Sequence, residues 1–303
     1  MLINAIHWNV DPVMLHLGVF DLRYYSLCFL IAFLLGYWII SWMFKREKVR
    51  SNYLDSLLVY IFLAVLVGAR LGHCLFYEPD YFLTSAHWTE IFWPFHGGRF
   101  VGFQGLASHG AAIGIVTALW LYQRKYNLNA WWFLDRLVIV VALGGAFVRL
   151  GNLFNSEIYG VETTLPWGFV FEREGETVPK HPTQLYESLA YFLIFGFSLL
   201  FYVLKKGKFR TGSLFGWWLV ALFGARLLIE FVKDDQVDFE AGMALNMGQL
   251  LSIPFIVGGL VIAYLARKEK FPQGPFPQGE VKTITAKWDE KEKKEKEKKQ
   301  QKK

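Results

Sequence analysis

Seven apolar runs of about 20 residues restrict this chain more than any other feature of its sequence. They cover 24–44, 54–77, 104–122, 131–154, 185–204, 213–232 and 247–266. At ~1.5 Å per residue, each can cross a hydrocarbon core ~30 Å thick. Lipid offers no partners to backbone N–H and C=O groups, so runs of this length fold as helices. The expected fold is an all-α membrane protein with seven transmembrane helices. Composition agrees, at 54% hydrophobic and 18% aromatic residues. Cys28 and Cys74 both lie inside apolar runs and are expected as small packed hydrophobes, not a disulfide framework. Residues 1–23 lack the continuous apolar core of a cleavable signal.

Charge orients the runs. The connections after runs one, three, five and seven carry 4, 2, 4 and 3 Lys/Arg, far more than the opposite set. This positive-inside bias puts the N-terminus outside and the C-terminus in the cytoplasm. A small periplasmic segment, 155–183, then separates spans four and five. Its alternating stretch Thr163 to Glu172, followed by Gly175, is expected as a strand hairpin. The net charge of +6 resides in the tail, where 267–303 hold 13 Lys/Arg against 7 Asp/Glu. The basic balance therefore gives no reason to expect a nucleic-acid partner. Two domains follow: a transmembrane body, 1–270, and a charged, disordered cytoplasmic tail, 271–303, which lacks the apolar content to fold alone.

The fourth run ends in VRLGNLFNSEIYG, 148–160. This brings Arg149, Asn152, Asn155, Ser156 and Glu157 together between Gly151 and Gly160. Ionisable groups at membrane depth are costly and point to function. Orientation places other polar groups at the same level: Tyr24 and Tyr25, Arg70 and His73, Arg226 and Glu230, and His109, ~7 Å below the outer end of its span. Five spans thus direct polar groups into the outer half of the membrane. Arg149 and Arg226 need anions, and Glu157 and Glu230 are their nearest carboxylates in sequence. Guanidinium suits phosphate through its planar fork, so a phosphorylated amphiphile, best a phospholipid, is the expected ligand.

Plainer readings exist for several of these residues. Arg226 with Glu230 would serve as an ion pair between helices, and His73 beside Arg70 as a packed histidine. Asp135-Arg136 reads as an interfacial pair, Trp131 and Trp132 as belt aromatics, and Gly144-Gly145 as a close helix contact. Arg149, Asn152 and Glu157 with His109 fit packing least well. A clamped phosphate leaves hydrolysis, phosphoryl transfer or displacement at the glycerol carbon. The chain has no HExxH, CxxC or GxSxG pattern and no closely spaced acidic pair in its spans, so neither metal nor cofactor is expected. His109 can act as general base, and the arginines can stabilise a departing phosphate. With no evident nucleophile of its own, the site expects one from an incoming substrate.

The stretch VRLGNLFNSEIYG resembles the signature G-R-x-G-N-F-x-N-x-E-x-x-G of the bacterial phosphatidylglycerol–prolipoprotein diacylglyceryl transferases. Val148 replaces the leading Gly and Leu153 the Phe. GARLGHCLFYEPDYF (68–82), LASHGAAIG (106–114), HPTQLYES (181–188), GARLLIEFVKDDQ (224–236) and NMGQLLSIP (246–254) are similar to further family segments, in the family's order. The resemblance spans 15–268. It implies transfer of a diacylglyceryl group from phosphatidylglycerol to the lipobox cysteine thiol of a preprolipoprotein signal peptide, releasing glycerol 1-phosphate. The setting it implies is the bacterial cytoplasmic (inner) membrane. By matching position, His109, Arg226, Glu230 and Tyr25 form the catalytic set, with His109 as base or positioning residue. Arg149, Asn152, Glu157, Gly160 and Arg70 form the phospholipid-binding set. The alternative is an intramembrane phospholipid transporter or flippase, which would be expected to show polar features in both membrane halves or an internal repeat. A retinal protein is disfavoured, because span seven has no lysine for a Schiff base.

Overall fold

The apolar runs do become helices. A computed structural model describes residues 5–17, 20–76, 81, 91, 95–96, 99–100, 107–234 and 245–300. Its long helices are α1 (Tyr24–Arg46), α2 (Ser51–Phe76), α3 (Ser108–Tyr126), α4 (Ala130–Phe154), α5 (Thr183–Leu204), α6 (Ser213–Ile229), α7 (Met247–Arg267) and α8 (Lys282–Gln300). Six are long and apolar enough to cross a membrane among the described residues: α1, α2, α4, α5, α6 with its 3-10 extension to Val232, and α7. Helix α3 falls outside that set. It opens on Ser108 and His109 and closes on Gln123, Arg124 and Lys125, which dilute its apolar stretch. Residue 104, the expected start of the third span, lies outside the described residues.

The helices are joined by three two-stranded ladders among the described residues. The hairpin expected within Thr163–Glu172 does not form. Phe169–Phe171 pairs instead in parallel with Ile6–Trp8, and Phe169 and Glu162 both bridge to Lys180. The apolar strand FVF is buried throughout, so it takes a partner that covers it on the protein side.

The chain divides into two units. The first holds 1–47 and 131–273. Here α6 and α7 meet at Gly216 and Gly259, where a Cβ on Gly259 would lie 2.7 Å from the Gly216 carbonyl oxygen. Helix α7 starts in a capping box: Asn246 accepts from the Gln249 N–H at 2.9 Å, and Gln249 accepts from the Asn246 N–H at 3.1 Å. At the far end of α4, Arg136 grips Glu47 through Nε at 3.0 Å and Nη2 at 2.7 Å. Trp132 and Tyr202 donate to the same carboxylate at 3.1 and 2.9 Å. The expected Asp135–Arg136 pair is present but long, because each side chain has closer partners. Their separation is 3.9 Å, and Asp135 accepts from the N–H groups of Gly212 and Phe215 at the start of α6, at 2.7 and 2.8 Å. Consecutive helical residues point in different directions, so each finds its own partner.

The second unit holds 48–130 and 274–303. Helices α2 and α3 approach backbone to backbone. A Cβ on Gly110 would sit 2.1 Å from the Gly68 oxygen, and one on Gly114 would sit 2.2 Å from the Ala64 oxygen. This is the small-residue packing that membrane helices use. The seam expected at Gly144-Gly145 is weaker, with nothing within 4 Å of Gly144 and the Tyr191 ring 3.0 Å from a Cβ at Gly145. Where the sequence suggests a solvated tail, 282–300 form helix α8. Its one aromatic explains the order: Trp288 meets Tyr53 edge-on at 4.7 Å, and Asp289 pairs with Arg50 at 2.6 Å. Helical Glu290–Lys294 pairing at 2.6 Å adds local support.

Candidate functional site

The end of α4 builds the site from local geometry. The helix stops at Phe154, and the chain turns through Ser156 and Ile158, at φ 55° and 63°. The N–H groups of Asn155 and Glu157 still bond back to Gly151 and Asn152, at 3.0 and 3.1 Å. This tight exit folds Glu157 onto the last helical turn. Its Oε1 accepts from Asn152 Nδ2 at 2.7 Å and Asn155 Nδ2 at 3.2 Å. Trp8 donates to the Leu153 carbonyl at 3.0 Å, satisfying an orphan acceptor of the helix end.

Arg149 lies one turn before that exit. Its Nη1 donates to Asn152 Oδ1 at 3.2 Å, and its Nε forms an ion pair with Glu187. A guanidinium has five N–H donors, and these contacts leave some of them for an anion. The expected Arg149–Glu157 pair is thus corrected: Glu157 holds the amides, and Asn152 relays between the two residues. Glu187, on the first turns of α5, is the actual counter-ion.

Glu187 is fully buried and also faces Lys233, with Nζ 3.8 Å from Oε1. Lys233 in turn lies 3.6 Å from Glu230 Oε2. Arg149, Glu187, Lys233 and Glu230 therefore alternate in sign along one chain of contacts. The expected Arg226–Glu230 pair is corrected as well. Glu230 turns to Lys233 and packs its carboxylate over Gly248, where a Cβ would lie 2.4 Å from Cδ. Arg226 has no ion pair or hydrogen bond among the described residues. Burial pulls the Lys233 ammonium below the usual lysine range, Glu187 and Glu230 pull it back up, and Arg149 and Arg226 add repulsion.

Two glycines of the motif are spacers. A Cβ on Gly151 would lie 2.6 Å from the Tyr25 ring, so Tyr25 rests on the helix face beside Arg149. Gly160 lies against the Val232 carbonyl, which a Cβ would approach to 2.1 Å. Gly160 bridges to Lys233 there, and its N–H bonds to the His181 carbonyl at 2.8 Å. HPTQLYES closes the set: Gln184 donates to the Glu157 carbonyl at 2.7 Å, and Thr183 to that of Ile158 at 2.8 Å.

The first unit therefore brings together Tyr25, Arg149, Asn152, Glu157, Gly160 and Glu230, with Arg226 close enough to act on Lys233 electrostatically. The second unit carries the other two expected residues. His109 occupies the first turn of α3, and Arg70 is buried on α2, donating to the Ile91 carbonyl at 2.8 Å. Sequence reasoning missed Glu187, Lys233 and Gln184. The available signal was that Glu187 is the lone charged residue in run 185–204.

The chain is similar to known proteins over most of its length. The family profile described as prolipoprotein diacylglyceryl transferase matches residues 12–265. The chain is 44% identical over 266 residues to the phosphatidylglycerol–prolipoprotein diacylglyceryl transferase of Tolumonas auensis, covering 88% of this chain and 99% of that one. Its counterpart from Chloroherpeton thalassium is 42% identical over 267 residues, covering 88% and 96%. That from Bacteroides fragilis is 41% identical over 273 residues, covering 89% and 98%.

Proposed function

Given that the chain belongs to the prolipoprotein diacylglyceryl transferase family, we propose that it joins the diacylglyceryl group of phosphatidylglycerol to the lipobox cysteine of preprolipoprotein signal peptides. This is the first step of lipoprotein maturation. The cysteine thiolate attacks the glycerol carbon that carries the phosphate. A C–S bond forms, the C–O bond breaks, and the electron pair leaves with glycerol 1-phosphate. The single observation that carries the reading is Arg149, anchored by Glu187 and Asn152 with donors left over. A fixed guanidinium of this kind stabilises the charge that builds on a leaving phosphate. Arg226, without an ion pair among the described residues, supplies a second positive charge.

Asn152, Glu157 and Gly160 shape the lipid site around Arg149, and Tyr25 and Glu230 belong with the catalytic set. The family resemblance gives Arg70 to lipid binding. It also gives His109 either the thiol proton or the placing of the substrate; a pH profile of a His109→Gln variant separates the two. The alternation of basic connections supports seven spans, with α3 as the third, the N-terminus outside and the C-terminus cytoplasmic. The segment between α4 and α5 is then periplasmic. The transmembrane body is 1–270, with 271–303 as a cytoplasmic extension, in a bacterial cytoplasmic membrane.

The test is mass spectrometry of a lipobox peptide after incubation with the purified protein and phosphatidylglycerol. The expected product is the peptide heavier by one diacylglyceryl group on its cysteine. An unmodified peptide would refute the reading.

A further inference from the structure

Lys233 is an expensive residue to keep where it is. Its side chain is 4% exposed, and burial of an ammonium costs several kcal/mol unless carboxylates and hydrogen bonds compensate. Two carboxylates flank it, and one of them, Glu187, is shared with Arg149. Its backbone is pinned as firmly as its side chain. It bridges to Gly160, Val161 N–H bonds to the Val232 carbonyl at 3.1 Å, and Asp234 N–H to that of Tyr159 at 3.4 Å. The loop leaving the Arg149 helix therefore fixes the lysine that faces the Arg149 counter-ion.

We propose that Lys233 is a positioning residue of the lipid phosphate site, acting through Glu187 on Arg149. It rests on the reading of Arg149 as a phosphate ligand. A carboxylate with only one cation beside it would turn fully toward that cation. Lys233 holds one Glu187 oxygen, so the other meets the Arg149 Nε edge and leaves the remaining edge of the guanidinium to the ligand. Glu230 steadies Lys233 from its other side. The geometry assigns Lys233 no contact with the lipobox thiol.

The test is steady-state kinetics of Lys233→Met, Lys233→Arg, Glu187→Gln and the Lys233→Met/Glu187→Gln pair, with both substrates varied. Lys233→Met is expected to lower kcat/KM for phosphatidylglycerol about a hundredfold, the order that a small misplacement of a binding group costs. The loss should fall on the KM for the lipid and leave the KM for the lipobox peptide unchanged. Lys233→Arg should recover most of it. The double variant should be no worse than the poorer single one, because both act on one contact chain. A folded Lys233→Met with a wild-type lipid KM overturns the proposal, as do equal rises in both KM values. Should Lys233→Met fail to fold, the double variant is compared with Glu187→Gln, and a further loss in kcat/KM for the lipid beyond that of Glu187→Gln overturns it. These outcomes concern Lys233 alone. A wild-type protein that never modifies the peptide would instead refute the transferase reading.

Discussion

Replacing Gly160 with alanine adds one methyl group at a place with no room for it. The new Cβ would lie 2.1 Å from the Val232 oxygen and 2.8 Å from both His181 Cβ and Thr183 Cγ2. Two of these walls are fixed, one a backbone oxygen and one a Cβ. The chain must therefore open by about 1 Å, a forced overpacking that costs ~1–3 kcal/mol. The same movement strains the Gly160 N–H bond to His181 (2.8 Å) and the Val161 N–H bond to Val232 (3.1 Å). At ~1 kcal/mol each, these bring the total to ~3–5 kcal/mol. Lys233 moves with the bridge, so the Glu187–Arg149 contact shifts too. The expected loss in kcat/KM is about a hundredfold. The assay is lipobox-peptide modification at varied lipid concentration, with thermal unfolding measured in the same detergent. Gly144→Ala is the control, since nothing lies within 4 Å of its Cβ position. It should be active and slightly stabilised, alanine being the better helix former by ~1 kcal/mol. A Gly160→Ala protein with wild-type unfolding midpoint and turnover would show that the close contact is not real.

Arg149→Ala should lower kcat/KM by ~10²–10³-fold, and Arg149→Lys should not rescue it, because an ammonium cannot serve Glu187, Asn152 and a phosphate in one plane; a lysine variant of near-normal turnover would sink that account. Glu47→Ala strands Arg136, which is 2% exposed, and should cost ~3–5 kcal/mol of stability, read by denaturant unfolding, while turnover per folded molecule stays unchanged. Burial lowers the His181 pKa from its ordinary 6.5, and His181 Nδ1 lies 3.1 Å from the Tyr186 hydroxyl, which accepts from Trp167 at 3.0 Å. Below its ordinary value the unfolded chain binds the proton more readily than the fold does, so this contribution is present above about pH 6.5 and is lost as pH falls. The unfolding midpoint should drop on acidification, and less steeply in His181→Gln; equal slopes would contradict the argument.

What could be read from the sequence was local. The apolar runs, the turn after Phe154 and the convergence of Asn152 and Glu157 depend on neighbours within a few positions, and the structure contains all three. Partners across space were not legible. Glu157 is the nearest carboxylate to Arg149 along the chain, yet Arg149 pairs with Glu187 on the next helix; Glu230, by contrast, turns to a local partner, Lys233, three positions on. Position in sequence says little about which groups two packed helices turn toward each other. Asp135 and Arg136 do pair, but only at 3.9 Å, since adjacency on a helix separates side chains and each has closer partners elsewhere. Helix α8 depends on Trp288 finding Tyr53, some 235 positions away, a contact that no composition rule for charged tails contains.

The seam between α2 and α3 limits how this protein can change. An ordinary packed contact can drift, because a larger residue on one helix is answered by a smaller one on the other. At Gly110 and Gly114 the facing atoms are the carbonyl oxygens of Gly68 and Ala64, which every amino acid carries. Mutation cannot trim a backbone, so the opposite helix has no compensating move to offer. A lineage that gained even one methyl group at Gly110 could restore the fit only by reverting or by separating the helices.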